Sequence, residues 1–257
     1  MPRALRCFLP NRCHHITMRC NNREFRLTRR ECRAVLLYAI QQCQQKYRFS
    51  LYALCIMSNH IHYLLAPKYP RELPKIMHWL NWYTAMCFNQ MLGRTGHFWE
   101  KRYHSTSFAM DDFRRALNTI RYIHANPKAA NIQRGFFYDF SNYGSYHRLT
   151  DDGLTEWHPA FLELGATLEE CADAYHRFCR SYRPKPKAEP KPRWGSKLLK
   201  NVTPKKTYQK GKTKKTSPGQ QPLWTEPMPE PSDVDRVAAK FVNANRKPGA
   251  DPVSGAR

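Results

Sequence analysis

Two apolar runs, residues 49–57 and 60–66, are separated only by Ser58 and Asn59. Runs this short, with a two-residue polar break between them, predict a tight hairpin of two mostly buried strands. The chain must therefore build a sheet, and its flanking segments must cover it. Residues 12–18, Arg-Cys-His-His-Ile-Thr-Met, suit a strand, and Asn21-Asn22 supplies its exit turn. From Thr28 to about Lys46, Cys32, Val35, Leu36, Ala39, Ile40 and Cys43 recur at helical spacing, with Thr28 as N-cap. Beyond Pro67 and Pro70, residues 73–91 repeat the helical pattern, and Gly93 and Gly96 break it. Residues 98–108 read as a fourth strand. Asp111 or Asp112 then caps a third helix, which should stop near Asn126 because Pro127 disfavours helical geometry in the residue before it.

The predicted order is β-α-β-β-α-β-α. Its first six elements are those of the ferredoxin-like split βαβ, an α+β fold with an antiparallel sheet and helices on one face, here with an extra C-terminal helix. The expected organisation is a catalytic domain over 8–135, a helical extension over 136–182 packed on that core, and a tail over 183–257. The tail is set apart by composition: residues 183–217 hold 13 Lys or Arg against one acidic residue, and 183–257 hold 12 of the 19 prolines. Such a segment is expected to be largely disordered, with room for a short helix over 234–242.

The first 182 residues carry 25 basic and 14 acidic side chains, so the basic excess is not confined to the tail. A basic body with a basic tail points to a polyanionic partner, and nucleic acid is the first candidate because counterion release rewards Lys and Arg placed against phosphates. Nine cysteines with no C-x-x-C pair fit neither a disulfide framework nor a zinc ribbon and read as buried thiols of a reducing compartment. No apolar stretch approaches the roughly 20 residues of a membrane span. The expectation is a soluble, cytoplasmic protein associated with the nucleoid, with no membrane partner.

The chemistry concentrates in two places. His60 and His62 stand two apart on a strand, so their imidazoles point the same way, as half of a metal site or as a pair poised for phosphate. In the third helix, Phe113, Ala116, Leu117, Ile120 and Ile123 form the predicted core stripe, and Tyr122 lies nearly opposite it with Asn118 and Asn126 one turn to either side. A histidine-triad hydrolase would need a third alternating histidine at position 64, which is Leu64. His14 and His15 lie on the first strand, where one of them could line the same sheet face, although a structural role is the favoured reading. His124 is a candidate DNA contact.

Together, His60-Ile61-His62 after Met57-Ser58-Asn59 and Tyr122 in Ile120-Arg121-Tyr122-Ile123-His124-Ala125-Asn126-Pro127 resemble the single-tyrosine HUH transposases, in particular the REP-associated tyrosine transposases. The resemblance extends to residues 13–19, to Phe98-Trp99-Glu100-Lys101-Arg102-Tyr103 and to Ser141-Asn142-Tyr143-Gly144-Ser145-Tyr146, and covers about residues 8–182. It implies a metal-dependent endonuclease and strand transferase for single-stranded or hairpin DNA, with Tyr122 as nucleophile, a 5′-phosphotyrosine intermediate, and Mg²⁺ or Mn²⁺ held by His60, His62 and Asn126. It also implies a monomer or a homodimer. Arg12, Arg19, Arg23, Lys101, Arg102, Arg114, Arg115 and Arg121 are candidate phosphate or base contacts, and Trp79, Trp82 and Trp99 candidate stacking platforms. The competing class is a non-catalytic nucleic-acid-binding protein derived from such an enzyme.

Overall fold

The computed structural model describes residues 8–100, 102–184 and 226–249. Four strands, β1 (Arg12–Arg19), β2 (Phe49–Ile56), β3 (His60–Pro67) and β4 (His104–Ala109), form one antiparallel sheet in the order β2-β3-β1-β4. That is the strand order of the ferredoxin-like unit expected from the sequence. Helices α1 (Arg30–Lys46) and α2 (Leu73–Met91) supply its two crossovers, and α3 (Phe113–Ala129) follows β4. Tyr63 and His62 are neighbours on β3 and therefore face opposite sides of the sheet. Tyr63 is buried beside Cys43 of α1, whereas His62 meets Tyr122 of α3. The sheet is thus covered by α1 on one side and by α3 on the other.

Several local expectations change. Thr28 does not cap α1; its hydroxyl donates to the Phe25 carbonyl in a short turn, and Arg29 takes the N-cap position. The fourth strand begins only at His104. Phe98 and Trp99 instead pack with Phe88, and the Trp99 indole N–H reaches the Asn81 carbonyl and the Thr84 hydroxyl.

Helix α3 does not stop at Asn126 but runs through Pro127 to Ala129. Proline has no N–H to offer the carbonyl four residues back, which belongs to Ile123. The Asn126 side chain fills that role: its Nδ2 donates to Ile123 O at 3.2 Å and to Tyr122 O at 2.9 Å.

Three further helices, α4 (Tyr143–Arg148), α5 (Pro159–Leu162) and α6 (Leu168–Arg180), pack around α3 and the sheet edge. Asn142, fully buried, ties them in. Its Oδ1 accepts from Leu54 N, and its Nδ2 donates to the Tyr52 carbonyl and the Thr155 hydroxyl. Tyr52 lies where the β2–β3 register slips, between Leu51 and Ala53. A bulge leaves a carbonyl outside the ladder, and here Asn142 and the Tyr146 hydroxyl both take it.

The tail is not uniformly as expected. Residues 231–245 form α7 (Pro231–Asn245), which buries Val234, Val237, Ala238, Phe241 and Val242 and packs on α1 and α4. Asn245 anchors its end, accepting from Ser145 N and donating to Asp152 Oδ2 and Phe241 O. The lysine-rich stretch around 205–215 lies outside the described residues. All the named elements belong to one compact unit. No helix among the described residues is long and apolar enough to cross a membrane.

Candidate active site

The β1–β3 and β1–β4 registers bring one sheet face together. Thr17 stands opposite both His62 and His104, Arg19 opposite His60, and His15 opposite Thr106. Because directly paired residues share a face, His60, His62, His15, Thr17, His104 and Thr106 all project toward α3. Cys13, Leu64 and Phe108 share that face and are buried, so its polar part is the end around His60 and His62, where α3 presents Tyr122, the residue its own core stripe leaves out.

The contacts are close. The Tyr122 ring stands edge-on to His62 and to His15, with centroids 5.7 Å from each, and His60 lies 5.0 Å from His62. His15 Nε2 is 3.1 Å from His62 Nδ1, and Thr17 Oγ1 is 3.2 Å from the same nitrogen. His60 Nδ1 lies 2.7 Å from Asn59 Oδ1. An amide oxygen only accepts, so the His60 Nδ1 carries the proton and its Nε2 keeps a lone pair. A cleft of about 510 Å³ opens between β1, β3, β4 and α3, and among its lining residues are His15, His62, His104, Arg115 and Tyr122, with no carboxylate. A second cleft of about 520 Å³ lies at the far end of β1, beside Arg12, Arg48, Lys68 and Glu156, and shares none of these side chains.

Burial keeps the imidazoles neutral. It pushes His60 down to about 4, with Arg19 adding to the effect, and His15 to about 4, with His104 adding. His62 falls well below the usual range through burial, His60, His15 and Arg19. Tyr122 is 46% exposed, yet partial burial, with Tyr182 nearby, raises its pKa rather than lowering it. In the protein alone, the surroundings of Tyr122 therefore do not ease loss of the phenol proton.

The structure thus brings Tyr122, His60 and His62 together. Asn126 sits one turn beyond Tyr122 and uses both hydrogens of its amide on α3 carbonyls, leaving Oδ1 as the atom it can offer. No group of three or more His, Cys, Asp or Glu side chains among the described residues is placed to hold a metal ion.

Of the basic candidates, Arg115 lines the cleft and Arg19 stands opposite His60 across the β1–β3 pair. Arg114, Arg23 and Arg102 are exposed, Arg12 lies at the opposite end of β1 from Arg19, and Lys101 lies outside the described residues. Arg121 is otherwise engaged: its guanidinium stacks 3.7 Å over the Phe178 ring and bonds the Phe178 carbonyl and Asn118 Oδ1.

Trp79 and Trp99 are buried and half-buried Trp82 packs edge-on to Tyr83, so the first two belong to the α2 core rather than to a stacking platform. His124, read from sequence as a DNA contact, is fully buried between the Tyr175 hydroxyl and Asn142 Oδ1, both at 2.8 Å. Phe113, expected in the core stripe, is 37% exposed. Sequence reasoning favoured a structural role for His15 over a place on this face, and it missed Thr17, His104 and Thr106. The available signal was strand parity, which puts His15 and Thr17 on one face, but only the strand order shows that this face is the one His62 occupies.

A family model described as "Transposase IS200 like" matches residues 10–126, from the start of β1 to Asn126. That segment contains every side chain of the cleft. Over residues 10–126 the chain is similar to the IS200-like transposases. Among solved structures, one described as "Structure of the REP associates tyrosine transposase bound to a REP hairpin" is similar at 16% identity, covering 55% of this chain and 82% of that one, with a TM-score of 0.46. That likeness is too distant to bear on function. No curated protein matches the chain.

Proposed function

We propose that this protein is an IS200-like transposase, a single-stranded DNA endonuclease and strand transferase that works beside DNA hairpins, with Tyr122 as its nucleophile. The observation that carries the reading is the Tyr122 ring packed edge-on against His62 and His15 over a cleft lined by neutral and basic side chains. Such a lining suits a phosphodiester. The Tyr122 oxygen would attack the scissile phosphorus in line and form a tyrosyl-phosphate bond to the 5′ side, while the bond to the 3′ oxygen breaks and that oxygen takes a proton to become a free 3′-OH. A second 3′-OH reverses the step on another strand, because the phosphotyrosine retains the ester bond. Tyr122 packs on His62 of its own chain, beside His60, which supports a site that uses its own tyrosine, whether or not two copies associate.

Members of this family generally use a divalent ion, and the two motif histidines fit one. Both are neutral; the His60 Nδ1 is committed to Asn59, so His60 presents Nε2, and the His62 Nδ1 faces His15 and Thr17, so His62 presents Nε2 when its proton lies on Nδ1. Asn126 Oδ1 is the third donor in this reading. When bound, Mg²⁺ or Mn²⁺ would neutralise a non-bridging oxygen of the scissile phosphate. The protein's own part is to hold the phenol protonated until substrate arrives, since burial disfavours the phenolate.

The test is a labelled single-stranded hairpin with Mn²⁺. Wild-type protein should form a denaturation-resistant DNA adduct and Tyr122→Phe should form none. An adduct in the Phe variant removes Tyr122 from the role, and hairpin binding without any wild-type adduct favours the non-catalytic class.

A further inference from the structure

His15 is the third imidazole of the cleft, and neither the His-x-His pair nor the tyrosine helix includes it. On β1 it lies one pleat beyond Thr17, which stands directly opposite His62. It is therefore a diagonal neighbour of His62 on the same face, within reach of a ring-sized side chain. The two rings lie end to end, with centroids 5.3 Å apart and 24° between planes, and one nitrogen of each faces the other at 3.1 Å. The opposite side of the arrangement is closed by Tyr122, edge-on to His15 at 73°.

A single proton lies between His15 Nε2 and His62 Nδ1, and its location decides what His62 can do. Placed on His62 Nδ1, it leaves the His62 Nε2 lone pair open to the cleft. Placed on His15 Nε2, it obliges neutral His62 to carry its own proton on Nε2, where it blocks ligation. Thr17 Oγ1, 3.2 Å from the same Nδ1, donates or accepts with equal ease and does not choose. For His60 the matter is settled by Asn59, whose oxygen accepts only. For His62, His15 is the corresponding group.

We propose that His15 is the positioning residue for His62. Its Nε2 accepts the His62 Nδ1–H, fixing the ring with Nε2 toward the cleft, and its ring, edge-on to Tyr122, holds His62 and Tyr122 at a set spacing. The inference rests on the reading above in which His60 and His62 hold the ion.

The test uses the full chain and three readouts. Long-range ¹⁵N–¹H NMR of the metal-free protein should show His62 as the Nδ1–H tautomer. Mn²⁺ affinity, followed by electron paramagnetic resonance, should fall about 10- to 100-fold in His15→Leu, the range for loss of an outer-shell partner, and return to within a few-fold of wild type in His15→Gln, whose amide oxygen accepts. An Nε2–H tautomer in the wild type overturns the proposal, as does unchanged Mn²⁺ affinity in His15→Leu or a Gln variant as weak as Leu. Should the Leu variant fail to fold, the wild-type tautomer and the Gln variant still decide. The third readout is the hairpin adduct. If the wild type forms none while His15→Leu still loses Mn²⁺, the cleavage reading falls and the role of His15 stands. If the wild type forms the adduct and His15→Leu keeps full Mn²⁺ affinity, only the His15 proposal falls.

Discussion

Acid should unfold this protein well above the pH at which carboxylates titrate, and the reason lies in two fully buried core histidines. His124 and His158 are both completely buried. His124 is fixed by Tyr175 and Asn142, and His158 caps α5 by accepting from Ala160 N at Nδ1. Burial pushes each down to about 4 from an ordinary 6.5. Between those values the unfolded chain binds a proton at each site and the folded chain does not, so stability falls as pH falls. It is fully present above about 6.5 and continues to drain until the folded groups themselves titrate.

Each histidine contributes about 1.4 kcal/mol per pH unit once the unfolded form is protonated, so the pair costs roughly 2.5 kcal/mol between pH 6 and pH 5. Against a total of about 5–15 kcal/mol this is a large share. With a urea m-value of about 2 kcal/mol/M, the midpoint should drop by about 1 M over that unit with the slope unchanged. His15 and His60 are lowered in the same way and steepen the loss. Asp152, whose carboxyl is raised by burial, opposes it only as the pH nears the carboxylate range. Urea unfolding followed by tryptophan fluorescence at pH 7, 6 and 5 measures this directly. A midpoint that stays level from pH 7 to 5 refutes the neutral, buried state assigned to these histidines.

Other consequences are more local. A Cβ at Gly144 would stand 2.4 Å from the Asn245 Cα, so Gly144→Ala should cost about 1–3 kcal/mol and lower Tm by several degrees in a calorimetric scan, as overpacking does. Asn126→Leu removes the donor that serves the Ile123 carbonyl beside Pro127, and hydrogen exchange should show the end of α3 opening about 1–3 kcal/mol more easily; unchanged protection would count against the compensation argument. Arg115→Ala, at the cleft, should weaken single-strand binding and reduce the slope of log affinity against log salt by about 0.7, whereas Arg121→Ala should leave that slope alone.

The sheet was legible because its evidence is local. The hairpin around Ser58-Asn59, the 3.6-residue spacing of α1 and α2 and the parity of His60 and His62 are each readable within a dozen residues. What could not be read depends on partners distant in sequence. His124 reads as a polar residue on a helix until Asn142 and Tyr175, on segments that follow it, are seen to close over it. Pro127 reads as a stop until the Asn126 amide is seen to stand in for the missing N–H. His15 shares its face with His62 only because β1 lies between β3 and β4, and strand order is a property of the whole sheet. Tyr122 itself was recognisable for the opposite reason: it interrupts a pattern its own helix defines.

The burial of α1 has an implication for where this chain can be cut. Ala34, Val35, Leu36 and Leu37 are four consecutive buried residues, so they point in every direction around the helix axis. A turn that is apolar on all sides needs walls on all sides, and α7, which arrives nearly two hundred residues later, packs on α1 and supplies one of them. The region that looks like a dispensable C-terminus therefore contains part of the enclosure of the first helix. A chain ended after α6 would present the flank of α1 that α7 covers as a continuous apolar strip, a surface of the kind that recruits a second copy or drives aggregation.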